Sequence, residues 1–476
     1  MAEVPVIQIL DKSKIWSQVI VPLPNEVSPP PLAPSSLRVR SEIFSLTSNN
    51  FTYAKLGTLF GWWNFHPLPK STPAPYNDQA LYGRTNCWGY GRVLGSTYPD
   101  VPKDSYVFGY LPIGTLPVDL QVTAASTKGR LTENSPHRTN MMRLYNNYQV
   151  YPASSSSSSR SPSASSSELT ASSIAQRISQ KDDSLALDTL LGTVHGTAYL
   201  MNNFVFPQDP SMLCHPSPGS PSTNPPWTFP EHADLTGATV LCFAPGAKTA
   251  VLFAHLLKHQ RREGTRPRQV VGISSESSRP FVVTTGLYDD VALTGENPLD
   301  VVTQRLGLGG ETAGSGSKIV VVDFGGRNGV ASSWVAALRP QFPNLVYSGI
   351  GMPVEGPPAS GTTTTAGAAT SPDDAATAVA DSTAALMGSL QKNAMLGCVM
   401  ANTDDIIPRA VEALGGGTAG EEKYLAAARE SWDLVREHGV RGFGVKWGQG
   451  MDSVRDGWDA LASGGVLPEV GLVFRV

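Results

Sequence analysis

The chain has 476 residues, of which 41% are hydrophobic and 16% are charged, and its formal net charge is -4. This length accommodates two or three domains, and the slightly acidic balance lacks the basic surface that binding to nucleic acids requires. We therefore expect no nucleic-acid partner. No disulfide framework or structural zinc site is expected, because the four cysteines lie far apart at Cys87, Cys214, Cys242 and Cys398.

The N-terminal segment does not have the pattern of a signal peptide. MAEVPVIQILDKSKIW has no basic start followed by an apolar core. No apolar run in the chain reaches the length that spans a membrane. We therefore expect a cytoplasmic protein without a membrane partner.

Residues 5–122 predict short strands separated by turns, because Pro, Gly and Asn are frequent and helical periodicity is weak. The alternation of apolar and polar residues in Leu37–Phe44 predicts one strand. Further strands are predicted at Gly91–Leu94, Ser105–Tyr110 and Pro117–Leu120. Together these segments predict a small, irregular β-barrel.

Two low-complexity segments interrupt the chain. The serine-rich tract Ala153–Ser173 cannot bury enough apolar surface to order itself, so we predict an exposed, disordered insertion. Ile174–Phe206 is predicted to be helical and is followed by a loop rich in Pro and Ser. The segment Glu355–Asp374, rich in Thr, Ala, Gly and Pro, is predicted to be a second insertion.

The segment Thr239–Ser275 predicts a strand, a tight turn, a helix and a second strand. A unit of this length is a βαβ crossover, and open α/β sheets bind ligands at the carboxyl ends of such strands. The amino end of a helix at that turn suits a phosphate group. An alternative is a sheet-and-helix core that binds no cofactor.

The turn of this unit departs from the known phosphate-binding motifs. Gly246 is the one glycine between strand and helix, where a dinucleotide fingerprint has three. The pair Lys248-Thr249 is similar to the end of a Walker A loop, but Cys242 and Ala247 stand where that motif needs glycine. We therefore do not expect ATP binding.

The rest of the chain predicts further parallel strands that alternate with helices. The segment Gly286–Val291 predicts the end of a helix that runs into a third strand, and further strands are predicted at Lys318–Phe324 and Asn344–Ile350. Helices are predicted at Glu421–His438 and Ser453–Ala462, before a last strand at Val470–Phe474.

A β-rich beginning, an α/β unit and a C-terminal return occur in this order in the medium-chain dehydrogenase/reductase superfamily, which the chain resembles. SLTSNNFTYAKLG (Ser45–Gly57) is similar to the quinone-oxidoreductase segment, and Gly91–Pro112 resembles a strand of the superfamily's barrel. The resemblance is closer to a reductase-like family known only as a domain of unknown function. Its motifs match Thr47–Tyr53, Trp88–Gly91, Val107–Pro112, Tyr145–Tyr148 and, with Pro245 in place of a serine, Pro245–Ala250.

The resemblance implies an α/β fold in which a Rossmann-type parallel sheet domain is inserted into a GroES-like β-barrel domain completed by the C-terminus. The barrel domain would span residues 1–195, the Rossmann-like domain 196–390, and the helical return 391–476. It also implies a homodimer or a monomer. Zinc-dependent members have a catalytic cysteine in the region of Ser45–Asn50 and a histidine near residue 66. His66 is present but the thiolate is not, so a catalytic zinc is not expected.

The resemblance implies a nicotinamide cofactor, and the residues after the second strand favour NADP(H). Ser274 and Ser275 with the nearby Arg279 suit a 2′-phosphate, whereas an inward-pointing Glu276 would favour NAD. The backbone at Ala247–Thr249, with Lys248 as a point charge, would hold the pyrophosphate. The complete predicted cofactor site is Gly246, Ala247, Lys248, Thr249, Ser274, Ser275, Arg279, Tyr288, Phe324, Ser348 and Gly349.

Tyr53 is the first catalytic candidate, because a phenol can donate a proton as hydride arrives and needs no metal. Asn49 and Asn50 could bind the nicotinamide or a substrate carbonyl, although adjacent asparagines also favour a turn. Trp62, Trp63 and Tyr110 could form a substrate pocket, although barrel core is the alternative for these residues and for Tyr53. No metal ligands are predicted.

These features predict a zinc-independent NADPH-dependent reductase. Its substrate would be an enone or carbonyl of a small aromatic or polyketide-like molecule of secondary metabolism. A non-redox enzyme (an isomerase, dehydratase or cyclase) that uses Tyr53 and a histidine as acid and base is one alternative. A non-catalytic ligand-binding protein is the other.

Overall fold

A computed structural model describes residues 3–153, 169–218, 226–309, 318–351, 384 and 387–476. In chain order, the strands are β1 (Val6–Asp11), β2 (Lys14–Pro22), β3 (Ser36–Leu46), β4 (Tyr82–Gly83), β5 (Asn86–Ser96), β6 (Tyr106–Pro112), β7 (Val118–Ala124), β8 (Arg130–Glu133), β9 (Asn147–Tyr151), β10 (Thr239–Phe243), β11 (Gln269–Ser274), β12 (Asp290–Leu293), β13 (Ile319–Phe324), β14 (Val346–Gly351), β15 (Cys398–Met400), β16 (Gly444–Gln449) and β17 (Val470–Arg475).

The α-helices that frame these strands are α1 (Ser48–Lys55), α2 (Ala171–Gln180), α3 (Asp183–Leu187), α4 (Thr193–Leu200), α5 (Lys248–His259), α6 (Arg279–Thr285), α7 (Pro298–Asp300), α8 (Val330–Leu338), α9 (Thr403–Ala413), α10 (Gly417–His438) and α11 (Gly450–Ala462). The π-helical turns Asp188–Gly192 and Met201–Val205 continue α3 and α4, so most of the predicted helical stretch Ile174–Phe206 is helical.

Six strands close into a barrel in the order β3-β5-β6-β9-β8-β7, because β7 also pairs with β3. The alternation in β3 puts Leu37 and Val39 in the interior, where they pack with Val107 and Leu120. The pairing of β3 with β5 shifts register at two places. The predicted small, irregular barrel and its strands are therefore confirmed.

Six parallel strands form a second sheet in the order β12-β11-β10-β13-β14-β15. All five residues of β10 are buried, as expected for a central parallel strand that is covered on both faces. The chain runs outward from β10 through β11 and β12, then returns to the other side of β10 with β13. This reversal creates a crevice at the carboxyl ends of β10 and β13, where open α/β sheets bind ligands.

The C-terminal strand β17 returns to the barrel, where it pairs antiparallel with β3 and parallel with β16. The parallel sheet is therefore inserted between two parts of the barrel domain, and the predicted fold class is confirmed. β15 belongs to the parallel sheet, so this sheet extends past the domain boundary that was predicted at residue 390.

The prediction of disorder was wrong at the end of the serine-rich tract. Helix α2 begins at Ala171, because Thr170 and Ser173 form a reciprocal capping box there. The helix buries its own side chains Ile174 and Ile178. The remainder of that tract from residue 154 to 168 lies outside the described residues, as does the second predicted insertion, 355–374.

Candidate functional site

A cleft of about 1890 Å³ lies between the barrel and the parallel sheet. One wall is formed by the turns after β10, β11 and β13, and the other by α1 and aromatic residues of the barrel domain. Binding sites for small molecules usually occupy 300–1,000 Å³. The cleft is therefore large enough for an extended ligand together with a second, smaller molecule.

The turn between β10 and α5 contains one glycine, Gly246, and presents the amino end of α5 to the cleft. Ala244 adopts the left-handed conformation, with φ at 52°, which glycine adopts at no steric cost. Ala247 precedes the helix, and its side chain caps no N–H group. The first N–H groups of a helix have no intrahelical partner, so those of α5 are available to an anion in the cleft.

Lys248 brings a positive charge to this turn. Burial lowers the pKa of Lys248 to about 8, because desolvation disfavours the ammonium. Its Nζ lies 5.6 Å from the centre of the Phe443 ring. No carboxylate forms an ion pair with Lys248 among the described residues. The ammonium therefore lines the cleft without a fixed counter-charge.

Serine hydroxyls follow the second strand of the sheet. Ser274 and Ser275 line the cleft together with Ser277 and Ser278, two residues that were not predicted. Ser275 Oγ accepts a hydrogen bond from the backbone N–H of Ser278 at 3.3 Å. Arg279 is exposed at the start of α6 and does not line the cleft.

Three predicted cofactor residues lie behind the cleft wall. The buried Tyr288 donates its hydroxyl hydrogen to the Pro245 carbonyl at 2.8 Å, which holds the turn before α5. Ser348 is fully buried and donates to the backbone carbonyl of Val399 at 3.3 Å. A side chain at Gly349 would collide with Met400, so packing requires this glycine.

Turns after the parallel strands contribute further residues to the cleft wall. Phe324 lines the cleft as predicted, and the chain continues around a glycine turn. Asp323 shapes this turn because its carboxylate accepts the N–H groups of Gly325 and Gly326 at 3.0 and 2.7 Å. Gly325 and Gly326 line the cleft at this turn, as the sequence suggested for a close approach of backbone to ligand. The residues of these turns that the sequence did not single out are Thr294, Gly295, Glu296, Arg327 and Asn328. Their position after each strand is the signal that could have identified them.

Tyr53 lies on the barrel side of the cleft, on helix α1. Its hydroxyl oxygen accepts a hydrogen bond from Trp88 Nε1 at 3.2 Å. Burial raises the pKa of Tyr53 above its ordinary value, so the phenol keeps its proton at neutral pH. Tyr145 lines the cleft beside it with the two rings 5.8 Å apart and edge-on. This tyrosine was not predicted as a site residue.

The two predicted asparagines differ in their surroundings. Asn49 is exposed and lines the cleft. Asn50 does not line it, because its Oδ1 accepts the N–H of Thr47 at 2.7 Å and its Nδ2 donates to the Asn86 carbonyl at 2.8 Å. Thr47 and Asn50 form a capping box that starts α1.

The predicted aromatic pocket is only partly present. Trp62 lines the cleft, and its ring lies 5.0 Å from that of Tyr53. Trp63 packs instead beneath Lys12, whose Nζ is 5.5 Å from its ring centre. Tyr110 is fully buried behind Tyr53. The barrel-core alternative therefore describes the surroundings of Trp63 and Tyr110.

His66, the histidine that the resemblance brought into question as a zinc ligand, is bound by protein groups on both ring nitrogens. Arg138 Nη2 lies 2.8 Å from His66 Nε2, and Asn86 Oδ1 lies 2.7 Å from Nδ1. Because the guanidinium can only donate, Nδ1 carries the imidazole hydrogen. Burial and the positive charge of Arg138 hold the pKa of His66 well below its usual value. Within the part of the chain that the structure describes, no three His, Cys, Asp or Glu residues are arranged to hold a metal.

Comparisons with known proteins place the chain in a family. The family described as Protein of unknown function (DUF2855) matches residues 44–467, and the chain belongs to this family. No significant match was found among curated proteins.

None of the helices in the described segments is long and apolar enough to cross a membrane.

Among solved structures, the chain is similar to CurA from Vibrio vulnificus in complex with NADPH. The sequence identity is 11%, the TM-score is 0.45, and 99% of each chain is covered. It is also similar to a mutant form of the enoyl thioester reductase from Candida tropicalis. That match has 10% identity, a TM-score of 0.47 and 100% coverage of both chains.

Proposed function

We propose that the protein is a zinc-independent, NADPH-dependent reductase of a small molecule that carries an enone or a carbonyl. One juxtaposition supports this proposal above all others. Lys248, an ammonium without a fixed counter-charge, lies at the switch point of the parallel sheet, and the protonated Tyr53 lines the same cleft from the barrel. A reductase of this kind needs a place for phosphates and a proton donor beside one cavity.

The cofactor would be held at the turn after β10. The N–H groups of Lys248 and Thr249 and the Lys248 ammonium are the groups available for the pyrophosphate. When bound, the dinucleotide supplies the hydride. The chain itself would position the cofactor through the turn that Tyr288 holds at Pro245.

The serine hydroxyls after β11 favour NADP(H) over NAD(H). Ser275, Ser277 and Ser278 line the cleft where the acidic residue of an NAD site would stand, and Glu276 does not line it. Hydroxyls are good donors to a 2′-phosphate, whereas a carboxylate would repel it. The exposed Arg279 begins α6 within this segment, and its contribution stays a prediction.

Tyr53 would protonate the substrate after hydride arrives. The aromatic surface of Trp62 and Tyr145 beside it suits a flat, apolar molecule. Asn49 is the exposed amide on the same wall and would bind a carbonyl oxygen of the substrate or the nicotinamide. An aromatic or polyketide-like substrate from secondary metabolism remains a prediction, as do a homodimer and a cytoplasmic location.

Titrating NADPH and NADH separately into the protein tests the proposal, with reduced-nicotinamide fluorescence and thermal shift as readouts. We expect NADPH to bind at least tenfold more tightly than NADH. A panel of enones and ketones then follows, with Tyr53→Phe as the matched variant. We expect Tyr53→Phe to lower turnover by about 10²–10⁴-fold while the Kd for NADPH stays the same.

Failure of both nucleotides to bind at millimolar concentration would refute the reductase. The single glycine of the turn would then favour a non-redox enzyme, for which turnover without nucleotide is the sign. A ligand that binds in the cleft without any turnover would favour a binding protein.

A further inference from the structure

One arginine of the barrel domain is buried without a counter-charge. Arg84 lies in the short connection between β4 and β5 and is only 2% exposed. Its Nε and Nη2 atoms have no hydrogen-bond partner, and no carboxylate forms an ion pair with it in the described segments of the chain. The hydroxyl of the adjoining Thr85 is also buried and unpartnered. Because buried charges in proteins are normally paired, a guanidinium in these surroundings points to a ligand.

The neighbouring side chains do not neutralise this guanidinium. Arg84 is close enough to His66 for its positive charge to lower the pKa of the imidazole, so His66 is neutral. The second buried arginine, Arg138, is balanced by Glu133, whose Oε2 lies 3.2 Å from its Nε. Burial lowers the pKa of Arg84 to about 10, and the group therefore keeps its proton at neutral pH. Together these four side chains carry one uncompensated positive charge.

We propose that Arg84 binds a small monocarboxylate anion inside the barrel domain. The two unpartnered atoms, Nε and Nη2, form one edge of the guanidinium, and this edge matches the two oxygens of a carboxylate. Arg38 uses the same edge in this protein, since its Nε and Nη2 each donate to one carboxylate oxygen of Asp119 at 2.7 Å. Chloride offers one atom instead of two. A dianion such as sulfate would leave a net negative charge buried.

This anion site is separate from the cleft, but it adjoins the wall that carries Tyr53. Neither Arg84 nor Thr85 lines the cleft. The next residue, Asn86, accepts a hydrogen bond at its backbone carbonyl from Asn50 Nδ2 at 2.8 Å, and Asn50 belongs to the capping box of α1. A bound anion would therefore hold the connection against which the helix of Tyr53 is anchored. The inference does not depend on the proposed function, because it concerns the stability of the folded chain.

Equilibrium unfolding in urea tests the site, with sodium formate as the probe and sodium chloride as the comparison at equal ionic strength. The unfolded chain releases any anion that it acquired during expression, so the anion in the buffer sets the occupancy. An anion that binds only the folded protein raises the free energy of unfolding. We expect the urea midpoint of the unmodified protein to rise with the logarithm of the formate concentration as formate replaces chloride.

Two substitutions of Arg84 separate its charge from its shape. Arg84→Met removes the charge, and Arg84→Lys keeps a charge but cannot bind two oxygens side by side. We expect Arg84→Met to lose the dependence on formate and to be at least as stable as the unmodified protein in chloride, because it buries no unpaired charge. Arg84→Lys should keep only a smaller part of the dependence.

Arg92→Met is the matched control. Arg92 lies on β5, the strand that follows Arg84, but its side chain is partly exposed and forms an ion pair with Asp104 at 2.7 Å. The variant therefore removes one positive charge from the same region and leaves the buried guanidinium in place. We expect it to keep the full dependence on formate.

A second measurement locates the anion without relying on the folding of a variant. In the unmodified protein labelled with ¹⁵N-arginine, one Nε–H resonance should move when formate is added and stay in place when chloride is added. Arg92→Met should retain this moving resonance, and Arg84→Lys should lack it. Equal dependence of the urea midpoint on formate in the unmodified protein and in Arg84→Met would overturn the proposed site. Absence of a response to formate from both the midpoint and the resonances would overturn it as well.

Discussion

Replacement of Lys248 by methionine should have opposite effects on the empty protein and on its complex with NADPH. In the folded protein, burial lowers the pKa of this lysine from 10.5 to about 8. The difference of about 2.5 units corresponds to about 3 kcal/mol of unfavourable free energy for the charged form at pH 7. Lys248→Met removes this charge and keeps a flexible side chain, so we expect the empty protein to be stabilised by about 1–3 kcal/mol.

The same substitution should weaken the binding of NADPH. A hydrogen bond between an ammonium and a phosphate contributes about 1.5–3 kcal/mol, and each 1.4 kcal/mol changes a dissociation constant about tenfold. We expect the Kd for NADPH to rise by about 10–100-fold in Lys248→Met. Fluorescence titration measures the Kd, and urea unfolding measures the stability.

Lys258→Met is the matched control, because Lys258 lies on the same helix, α5, but at its exposed carboxyl end. Its Nζ donates to the Gly286 carbonyl at 2.6 Å and does not line the cleft. We expect it to leave the Kd for NADPH within twofold of the unmodified protein.

The pH dependence provides a second check on Lys248. Because its folded pKa is depressed, the unfolded chain binds more protons between pH 8 and 10.5, and the empty protein should gain stability as the pH rises through this window. NADPH needs the ammonium, so its affinity should fall as the pH rises above about 8. Lys248→Arg keeps its charge and should bind with little change up to pH 10. Unchanged affinity in Lys248→Met, or the same pH profile in Lys248→Arg, would refute this reasoning.

Three further predictions concern a strained backbone position, a buried histidine and a buried ion pair. Ala244→Gly should stabilise the fold by up to about 1 kcal/mol in urea unfolding, because glycine adopts φ 52° without strain; a loss of stability would contradict this. The pKa of the buried His255 is lowered to about 4, so the folded protein should lose up to about 3 kcal/mol as the pH falls from 6.5 to 4. His255→Leu should reduce this loss of stability between pH 6.5 and 4, and the same pH dependence of stability in this variant and the unmodified protein would contradict the prediction. Arg138 Nε lies 3.2 Å from Glu133 Oε2, so Arg138→Met leaves the buried Glu133 carboxylate without its partner and should lower the free energy of unfolding by about 3–5 kcal/mol. Adding Glu133→Gln to Arg138→Met should restore part of this stability.

Local patterns in the sequence identified the elements that carry the fold. The apolar run Thr239–Phe243 predicted a strand covered on both faces, and the alternation in Leu37–Phe44 predicted a strand of the barrel. Both signals come from the period of side chains along one strand. Lys248 could be located for the same reason, because a strand followed directly by a helix defines where the first turn of that helix lies.

The barrel side of the cleft could not be predicted to the same extent, because its residues are united only by the tertiary fold. Tyr53, Trp88 and Tyr145 belong to three elements, and nothing in their spacing indicates that the Trp88 indole donates to the Tyr53 oxygen or that the Tyr145 ring lies edge-on to that of Tyr53. Composition identified an aromatic-rich region but not which ring faces the cleft: Trp62 lines the cleft and Tyr110 does not. An aromatic side chain of a barrel can line a cleft or fill the core, and only the elements that pack against it decide between these two positions.

The end of β14 shows a related difficulty that arises from strand length. Ser348 was predicted to bind the cofactor because the resemblance to the reductase superfamily implies that a late strand meets the nicotinamide there. The strand continues to Gly351, and β15 pairs alongside it, so Ser348 is enclosed and bonded to Val399. Ile350, two residues further on, lines the cleft instead. A ligand meets a parallel sheet at the carboxyl ends of its strands, and an error of two residues in that end moves a predicted contact from the cleft into the core.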